Sequence, residues 1–597
     1  MKIITLDYES YYDADYTLKK LSTSAYICDP RFKCLGVAVK VDDKPATWVP
    51  AERVAAWHIA AKPFLESNIV LAHHAHFDGL ILSHHYGIRP KAWLDTLSMV
   101  KGLGLSVTVG GSLFALAKHF GLGQKPDLRP DSTPEEVEYR GTWDADATFK
   151  LFKLLAPGFP KDEYQLIDLT VREFTEPLIE IDVPMLTDMA DKLDAAKEAA
   201  LLALNITKEE LGSPVLFCSR LESLGVDVEW KKTPTGNTFP AIAKTDDFMM
   251  SLLEHEDETI QALAAARLGN KSTGDGTRAR TYVSMAKHGP LPVYYNYYGA
   301  HTGRWSGGDA TNFANLKRGG TLRDAILAPD GCSFVVGDLA QIEARITAVL
   351  AGQHDLVEAF AQKRSAYCEF ASYAFRRPVT KADEFEYFTG KFWVLGGGFG
   401  MGYRKGYLQT KAEINKRKLK FTPPTLDQCS AFVDAYRSMY AEIPKLWKRM
   451  EWLIQEPGRE IGPLVSEHEA ILLPNGMKLR YPNLRWEAYK NKAGEEKVGY
   501  RYDSRRGRVG IWGGALTENC VQALARIVMS KAMLALRKKG YLIPLHTYDE
   551  IVLCVPDVSV ENAKVEMQRA MTAPPDWMPD LPLAVEIGVG KRYGDAK

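Results

Sequence analysis

Apolar residues fall into recurring patterns along this chain, and acidic residues appear where those patterns change. Short runs rich in branched residues occur at Ile3-Ile4-Thr5-Leu6, Ile69-Val70-Leu71-Ala72, Phe334-Val335-Val336 and Ile551-Val552-Leu553. Runs of this length and composition predict buried strands. Helical spacing dominates from Asp162 to Ala286, where Leu186 to Leu204 is Ala- and Leu-rich and amphipathic, and again from Val357 to about Met450. The Gly- and Arg-rich stretch from Leu472 to Gly513 predicts short strands and loops, Ala515 to Lys539 one long helix, and Tyr541 to Lys597 a return to sheet. These patterns predict an α/β, multidomain protein. Its 597 residues give about three to four domains at a soft prior of roughly 100–200 residues each.

The acidic positions suggest chemistry. Asp338 closes the strand Phe334 to Gly337, and Asp549 lies between His546 and the run Glu550 to Leu553. A carboxylate at the end of a buried strand is costly unless paired or bound to a cation. Two such strands meeting in one sheet would bring Asp338 and Asp549 to one divalent metal. Mg²⁺ suits this arrangement, because substrate phosphates complete its shell, and the implied reaction is phosphoryl or nucleotidyl transfer. Near the N-terminus, Asp7 and Glu9 are two apart on a strand and share a face. The run from Ile69 is expected to end as a strand at Asp78 and continue as a helix, and Asp144, with Asp146 as a rival, is expected to begin another.

Tyr387, Lys391, Leu395 and Phe399 recur every four residues and form one helical stripe. The glycines at 396, 397, 398, 400 and 402 cost roughly 1 kcal/mol each in a helix, which points to close approach by a base pair or to a hinge. Neither Gly-x-x-x-x-Gly-Lys-Ser/Thr nor Gly-x-Gly-x-x-Gly fits them, which argues against a phosphate loop and a dinucleotide fold.

Charge changes little in this picture. Lys plus Arg and Asp plus Glu are 75 each, so a basic groove would have to be local. Arg404-Lys405 and Arg505-Arg506-Gly507-Arg508 are basic clusters best taken singly as solvated faces. The eight Cys form no Cys-x-x-Cys pair, which speaks against structural zinc and for a reduced compartment. No secretory signal opens the chain and no uninterrupted apolar run approaches a membrane span.

Several motifs, in order, carry a family resemblance. Asp338-Leu339-Ala340-Gln341-Ile342-Glu343-Ala344-Arg345 resembles the first palm motif of family A DNA polymerases, Lys391 to Met401 the second, on the fingers helix, and Tyr548-Asp549-Glu550 the third. Thr302-Gly303-Arg304 and Asn312 to Asn315 resemble the primer–template segment, and Thr517 to Arg526 the late palm helix in a form common in phage enzymes. Asp7, Glu9, Asp78 and Asp144 resemble the four carboxylates of DEDD-type 3′–5′ exonucleases.

The resemblance implies a ribonuclease-H-like exonuclease domain followed by a right-hand polymerase. The implied boundaries are 1–155 for the exonuclease, 156–293 for a mainly helical thumb, 294–350 for the first part of the palm, 351–513 for fingers and associated loops, and 514–597 for the rest of the palm. It implies a template-directed DNA polymerase with a proofreading exonuclease. Each active site would use two Mg²⁺, with Mn²⁺ as a substitute. Primed DNA and deoxynucleoside triphosphates are the implied partners, with no membrane. The chain is expected to act as a monomer in the cytoplasm of a bacterial host if phage-encoded.

The residues take roles by the same resemblance. Asp338, Asp549 and the Leu339 carbonyl would hold metal, as would Asp7, Glu9, Asp78 and Asp144. Lys391 would contact the triphosphate and protonate pyrophosphate. Glu343 would exclude a ribose 2′-hydroxyl, and Tyr387, Leu395 and Phe399 would line the nucleotide site. Arg304, Asn312, Asn315, Gln522 and Tyr548 would contact DNA, and Tyr139 is the candidate to orient water in the exonuclease. Departures from the family stand at His74 (usually Asn), Arg140 (usually Tyr), Tyr387 (usually Arg), Leu395 (usually aromatic), Tyr548 (usually His) and Glu518 (often Asn). Lys381, Arg404 and Lys405 are the nearby cations that could replace the missing Arg. The alternative that Tyr387 and Tyr548 motivate is a 3′–5′ exonuclease whose polymerase half binds DNA but turns over weakly.

Overall fold

In the computed structural model, the first strand, β1 (Ile3–Ser10), follows the two-residue period of its sequence: Ile4, Leu6 and Tyr8 are buried, while Asp7 and Glu9 share the other face. The described residues are all except 127, 128, 130, 131, 233–236, 244, 245, 254, 272, 273, 310, 418, 491–493, 505, 506 and 597. Arg505 and Arg506 of the second basic cluster therefore lie outside them. β1 pairs antiparallel with β2 (Cys34–Val41), which pairs with β3 (Thr47–Pro50). On its other edge β1 runs parallel to β4 (Ile69–Ala72), which is parallel to β5 (Ala92–Asp95). The order β3-β2-β1-β4-β5 is a mixed sheet of the ribonuclease-H-like kind that was expected.

Two local expectations are corrected here. The strand from Ile69 stops at Ala72, not at Asp78. The Asp95 carboxylate accepts the N–H groups of His74 and Ala75 (2.7 and 3.3 Å), and α1 (Ala75–Tyr86) starts there, with Asp78 in its first turn. Asp144 does not begin a helix. It lies inside α2 (Pro134–Leu155), which starts at a Thr133–Glu136 capping box with Pro134 at its first position.

The domain scheme also shifts. α3 (Lys161–Thr175), expected to open the thumb, packs on α1 and β5, and its Asp168 accepts the Trp93 N–H at 2.7 Å. It also bonds through Glu163 to Arg526 on the long helix that starts at Gly513, so it joins the two halves. In the rest of the segment expected to form a thumb, α4 (Val183–Ala203) packs along α5 (Gly274–Ala286). The outer part of that segment has a separate core that includes Phe217, Leu221, Met249, Leu252 and Leu263. Beside that core the fully buried Arg267 donates to the Leu211 and Ser213 carbonyls (2.5 and 3.3 Å) and lies 4.3 Å from the Phe217 ring centroid.

The palm opens with β6 (Cys332–Leu339) and α6 (Ile342–Ala351). The segment expected to form fingers contains helices, among them α7 (Ala366–Phe375) and α8 (Glu384–Gly397). Phe399 falls beyond the end of α8, so the expected stripe is helical only through Leu395. Gly397 lets α8 meet the helix Leu426–Met439, since a Cβ there would stand 2.8 Å from the Tyr436 ring. Gly400 turns the chain at φ +74°, which favours glycine. Protein packing, not a base pair, therefore accounts for Gly397.

Short antiparallel strands occur at Lys478–Arg480, Arg485–Lys490, Glu496–Ser504 and Gly507–Ile511, within the stretch where the pattern predicted them, and others at Glu460–Ile461, Leu464–Glu467 and Ala470–Leu472 precede it. The long helix α9 (Gly513–Lys538) is apolar and long enough to cross a membrane, but 72% of its apolar window is buried in the protein. It is the core helix of the palm and packs on α6 and on α10 (Val560–Thr572). The palm sheet closes with β7 (Leu542–His546), β8 (Glu550–Pro556) and β9 (Val585–Gly590), in the antiparallel order β7-β8-β6-β9.

Candidate active site

β6 and β8 are neighbours, and their register sets Asp338 opposite Glu550. The Leu339 N–H donates to the Asp549 carbonyl at 2.8 Å, so the predicted meeting of Asp338 and Asp549 is found at one end of the palm sheet. Asp338 is only 7% exposed, and the exposed Arg318 donates to its carboxylate. Glu550 is engaged differently. It is buried, Arg323 reaches both of its oxygens (3.2 and 3.3 Å), and the Tyr593 hydroxyl donates to it. Asp338 and Asp549 are therefore the candidate metal pair, a donor set that suits a hard divalent cation with substrate oxygens completing its shell.

A cleft of about 540 Å³ opens from Asp338. It is lined on the fingers side by Tyr387, Lys391, Lys381, Lys363 and Arg364. Of the cations expected to replace the missing Arg, Lys381 is in this wall, whereas Arg404 and Lys405 are not among its lining residues. Lys363 and Arg364 join it unannounced by any motif, and Arg364 is tied to Glu369 at 2.6 Å. Leu395 is 42% exposed and lines a neighbouring cleft with Lys391 and Phe392.

Of the predicted DNA contacts, Arg304 and Tyr548 lie beside the carboxylates, and the others pair among themselves or with near neighbours. Arg304 ion-pairs with Glu343 and lies 5.3 Å from the Tyr548 ring centroid. Gln522 accepts from Thr302 at 3.4 Å and donates to Glu518 at 3.2 Å, while Asn315 donates to Asn312 at 3.2 Å.

The N-terminal carboxylates form a second, separate cluster. Oxygens of Asp7, Glu9 and Asp144 lie within 4.8 Å of one another. α2 brings Asp144 across β1, and Asp78 accepts the Tyr8 N–H at 3.0 Å. Burial, and then the charges of Asp144, Glu9 and Asp78, push the Asp7 carboxyl well above the usual carboxylate range. Burial likewise pushes Glu9 to about 7 and Asp78 to about 8. Carboxylates crowded in this way are relieved by cations, so the donor set fits divalent metal. Asp146 is not a rival, because it pairs with Lys40 at 2.7 Å.

Tyr139 does not enter the cluster. It is 62% exposed, while Arg140 Nε lies 3.1 Å from Asp144 and 3.7 Å from Glu9. Adjacent helix residues point about 100° apart at 3.6 residues per turn, so only one of the two can face Asp144. His74 also turns elsewhere: it has φ 77°, and its Nε2 bonds the Tyr294 hydroxyl at 2.9 Å, linking the exonuclease-like sheet to the start of the palm. Lys125, 2.8 Å from Asp144, and Arg318, on Asp338, carry no sequence signal, since both lie in loops without periodicity.

Comparison with known proteins gives the same answer for the polymerase part. Residues 185–459 match the model of DNA polymerase family A, a span that includes Asp338 and Lys391 but ends before Asp549. The DNA polymerase of Bacillus phage SP02 is 25% identical, covering 99% of this chain and 100% of that one. The thermostable DNA polymerase I of Thermus thermophilus is 23% identical over 92% of this chain, which spans 64% of that relative's length. A segment of DNA polymerase I from Mycobacterium tuberculosis is 34% identical, covering 34% of this chain and 22% of that one. Among solved structures, the POL domain of Pol1 from M. smegmatis in complex with DNA primer-template and dNTP has a TM-score of 0.66 at 19% identity. It is covered over 96% of its length, and this chain over 100%. The family match over residues 185–459, the four-stranded sheet and the paired aspartates point the same way: this chain resembles the polymerase domain of family A DNA polymerases.

Proposed function

We propose that this chain extends a DNA primer on a template with deoxynucleoside triphosphates, and that its N-terminal domain removes nucleotides from the primer 3′ end. The observation that carries the first half is Asp338 beside Asp549 at the foot of a cleft whose far wall bears Lys391. The solved neighbour that holds primer-template and dNTP supports reading that cleft as the nucleotide site. Asp338, Asp549 and the Leu339 backbone would hold the divalent cations. When bound, such cations lower the pKa of the attacking hydroxyl and neutralise the phosphates.

The chain's own residues do the rest. Lys391 Nζ gives a point charge to the triphosphate and a proton to departing pyrophosphate. Glu343, held in place by Arg304, faces the sugar and excludes a 2′-hydroxyl. Arg318 neutralises Asp338 until substrate arrives, and its exposure leaves it free to swing aside. Tyr387 brings no charge to the triphosphate, so Lys381 takes that part. Lys381→Ala is accordingly expected to raise the KM for deoxynucleotides about tenfold with little change in kcat, the loss of one charge-assisted contact. An unchanged KM would remove Lys381 from the nucleotide site.

The second half rests on the Asp7, Glu9 and Asp144 cluster. The test is a labelled primer–template incubated with Mg²⁺, with and without deoxynucleotides, comparing wild type with Asp338→Ala and Asp7→Ala. Extension lost only in the first variant and shortening lost only in the second would establish two sites. Shortening without extension in the wild type would replace this reading by an exonuclease with a weak polymerase half.

A further inference from the structure

The N-terminal carboxylate cluster already contains two cations of its own. Both oxygens of Asp144 are engaged: Lys125 Nζ stands 2.8 Å from Oδ1, and Arg140 Nε stands 3.1 Å from Oδ2. The Arg140 guanidinium also reaches toward Glu9, with Nε 3.7 Å from Oε1. These side chains are sheltered, at 5% exposure for Asp144, 12% for Glu9, 17% for Lys125 and 23% for Arg140. Asp7 differs from Asp144, since among the described residues its carboxylate has neither a hydrogen bond nor an ion pair.

Charge balance gives the same division. With a cation bound and all four carboxyls ionised, Asp7, Glu9, Asp78 and Asp144 carry four negative charges, and Arg140 and Lys125 return two. The remainder matches one divalent cation, whereas two would leave the sheltered cluster net positive before any phosphate arrived. Arginine cannot vacate the site by losing its proton. Removing a sheltered guanidinium from its carboxylate partners is unfavourable, because it breaks a partly desolvated pair.

We propose that this site takes a single divalent cation, held by Asp7 and Glu9, and that Arg140, supported by Lys125, occupies the place on Asp144 where a second cation would sit. The inference rests on the exonuclease reading for its function but not for its test. Arg140 is here a positioning and charge-balancing residue.

The test counts Mn²⁺ bound to the full chain without DNA, by the loss of the free-ion paramagnetic resonance signal, at fixed pH. Wild type is expected to lose one equivalent on Asp7→Asn. The double variant Arg140→Gln/Lys125→Gln is expected to gain one equivalent over wild type, and Asp144→Asn in that background to remove it. Arg140→Lys, which keeps the charge, is expected to leave the count at the wild-type value. Two Asp7-dependent equivalents in the wild type, or none, would overturn the proposal, as would an unchanged count in a double variant whose melting curve is still cooperative. Should the double variant not fold, the wild-type and Arg140→Lys counts still decide. Primer shortening is assayed in parallel: a chain that binds one Asp7-dependent Mn²⁺ without shortening primers would remove the exonuclease reading and leave the one-cation site standing.

Discussion

Asp338→Asn is expected to slow primer extension on the order of 10³-fold, the equivalent of several kcal/mol of metal-borne charge stabilisation. The loss should fall on the chemical step. Asp338 lies at the end of β6, where the register with β8 brings it beside Asp549, and it lines the same cleft as Lys391. Asparagine keeps the shape of the side chain and removes its charge. The carboxylate pairs with Arg318, whose side chain is 63% exposed, and such exposed pairs contribute little to stability. Melting temperature and primer shortening should therefore stay close to wild type. Single-turnover extension with saturating deoxynucleotide separates the outcomes. A variant that extends within a few-fold of wild type would mean Asp338 does not hold the reacting centre.

The largest stability effect should come from a residue with no part in the chemistry. Glu163, on α3, is met by both terminal guanidinium nitrogens of Arg526 on α9 (2.6 and 2.7 Å), by the Tyr297 hydroxyl at 2.5 Å and by Asn475 at 2.7 Å. Both charged side chains are 2% exposed. Arg526 also lies 4.6 Å from the Trp305 ring centroid and 4.8 Å from that of Tyr298. Replacing Glu163 with Ala strands a guanidinium in the interior, which costs about 3–5 kcal/mol when one partner of a buried pair is removed. Chemical denaturation should show a lower midpoint for the transition that includes the palm. A shift below about 1 kcal/mol, the range of surface pairs, would contradict the closed network.

The pair also sets an acid limit. Burial alone would raise the Glu163 pKa, but the charge and hydrogen bonds of Arg526 and the hydrogen bonds of Tyr297 and Asn475 outweigh it and hold the carboxyl below the ordinary glutamate value of 4.5. A depressed folded pKa stabilises above the unfolded value, so the contribution is full above about pH 4.5 and is lost as pH falls through the folded value. The difference in stability between wild type and Glu163→Gln should shrink over that interval.

Much of the polymerase part was legible one residue at a time. Asp338, Lys391 and Asp549 lie within short motifs, and a strand's two-residue period or a helix's four-residue stripe is enough to say which side chains share a face. The same local rule placed Asp7 with Glu9. It misplaced Asp78 and Asp144, because the boundaries of α1 and α2 are set by side-chain caps: Asp95 captures the backbone after β4, and the Thr133–Glu136 box starts α2 well before its acidic middle. It also left Phe399 on a helix that stops at Gly397.

What the sequence by itself determined was the order of the elements and which carboxylates share a strand face or stand at a strand end, because backbone periodicity is local, whereas the pairing of the strands into mixed and antiparallel sheets is seen only in the structure. Only the tertiary structure decided which cations answer those carboxylates. Arg318, Lys125, Lys363 and Arg526 reach their partners or cleft from loops and helices distant in the chain, and a charge on a flexible side chain leaves no period to read. Arg140 displaced Tyr139 through the rotation of α2 against β1, and α3 packs on the exonuclease-like sheet because Asp168 finds its partner there, while Glu163 ties the same helix to Arg526 on α9. Such pairings depend on which surfaces meet in three dimensions, and distance in space is the quantity a linear pattern does not carry.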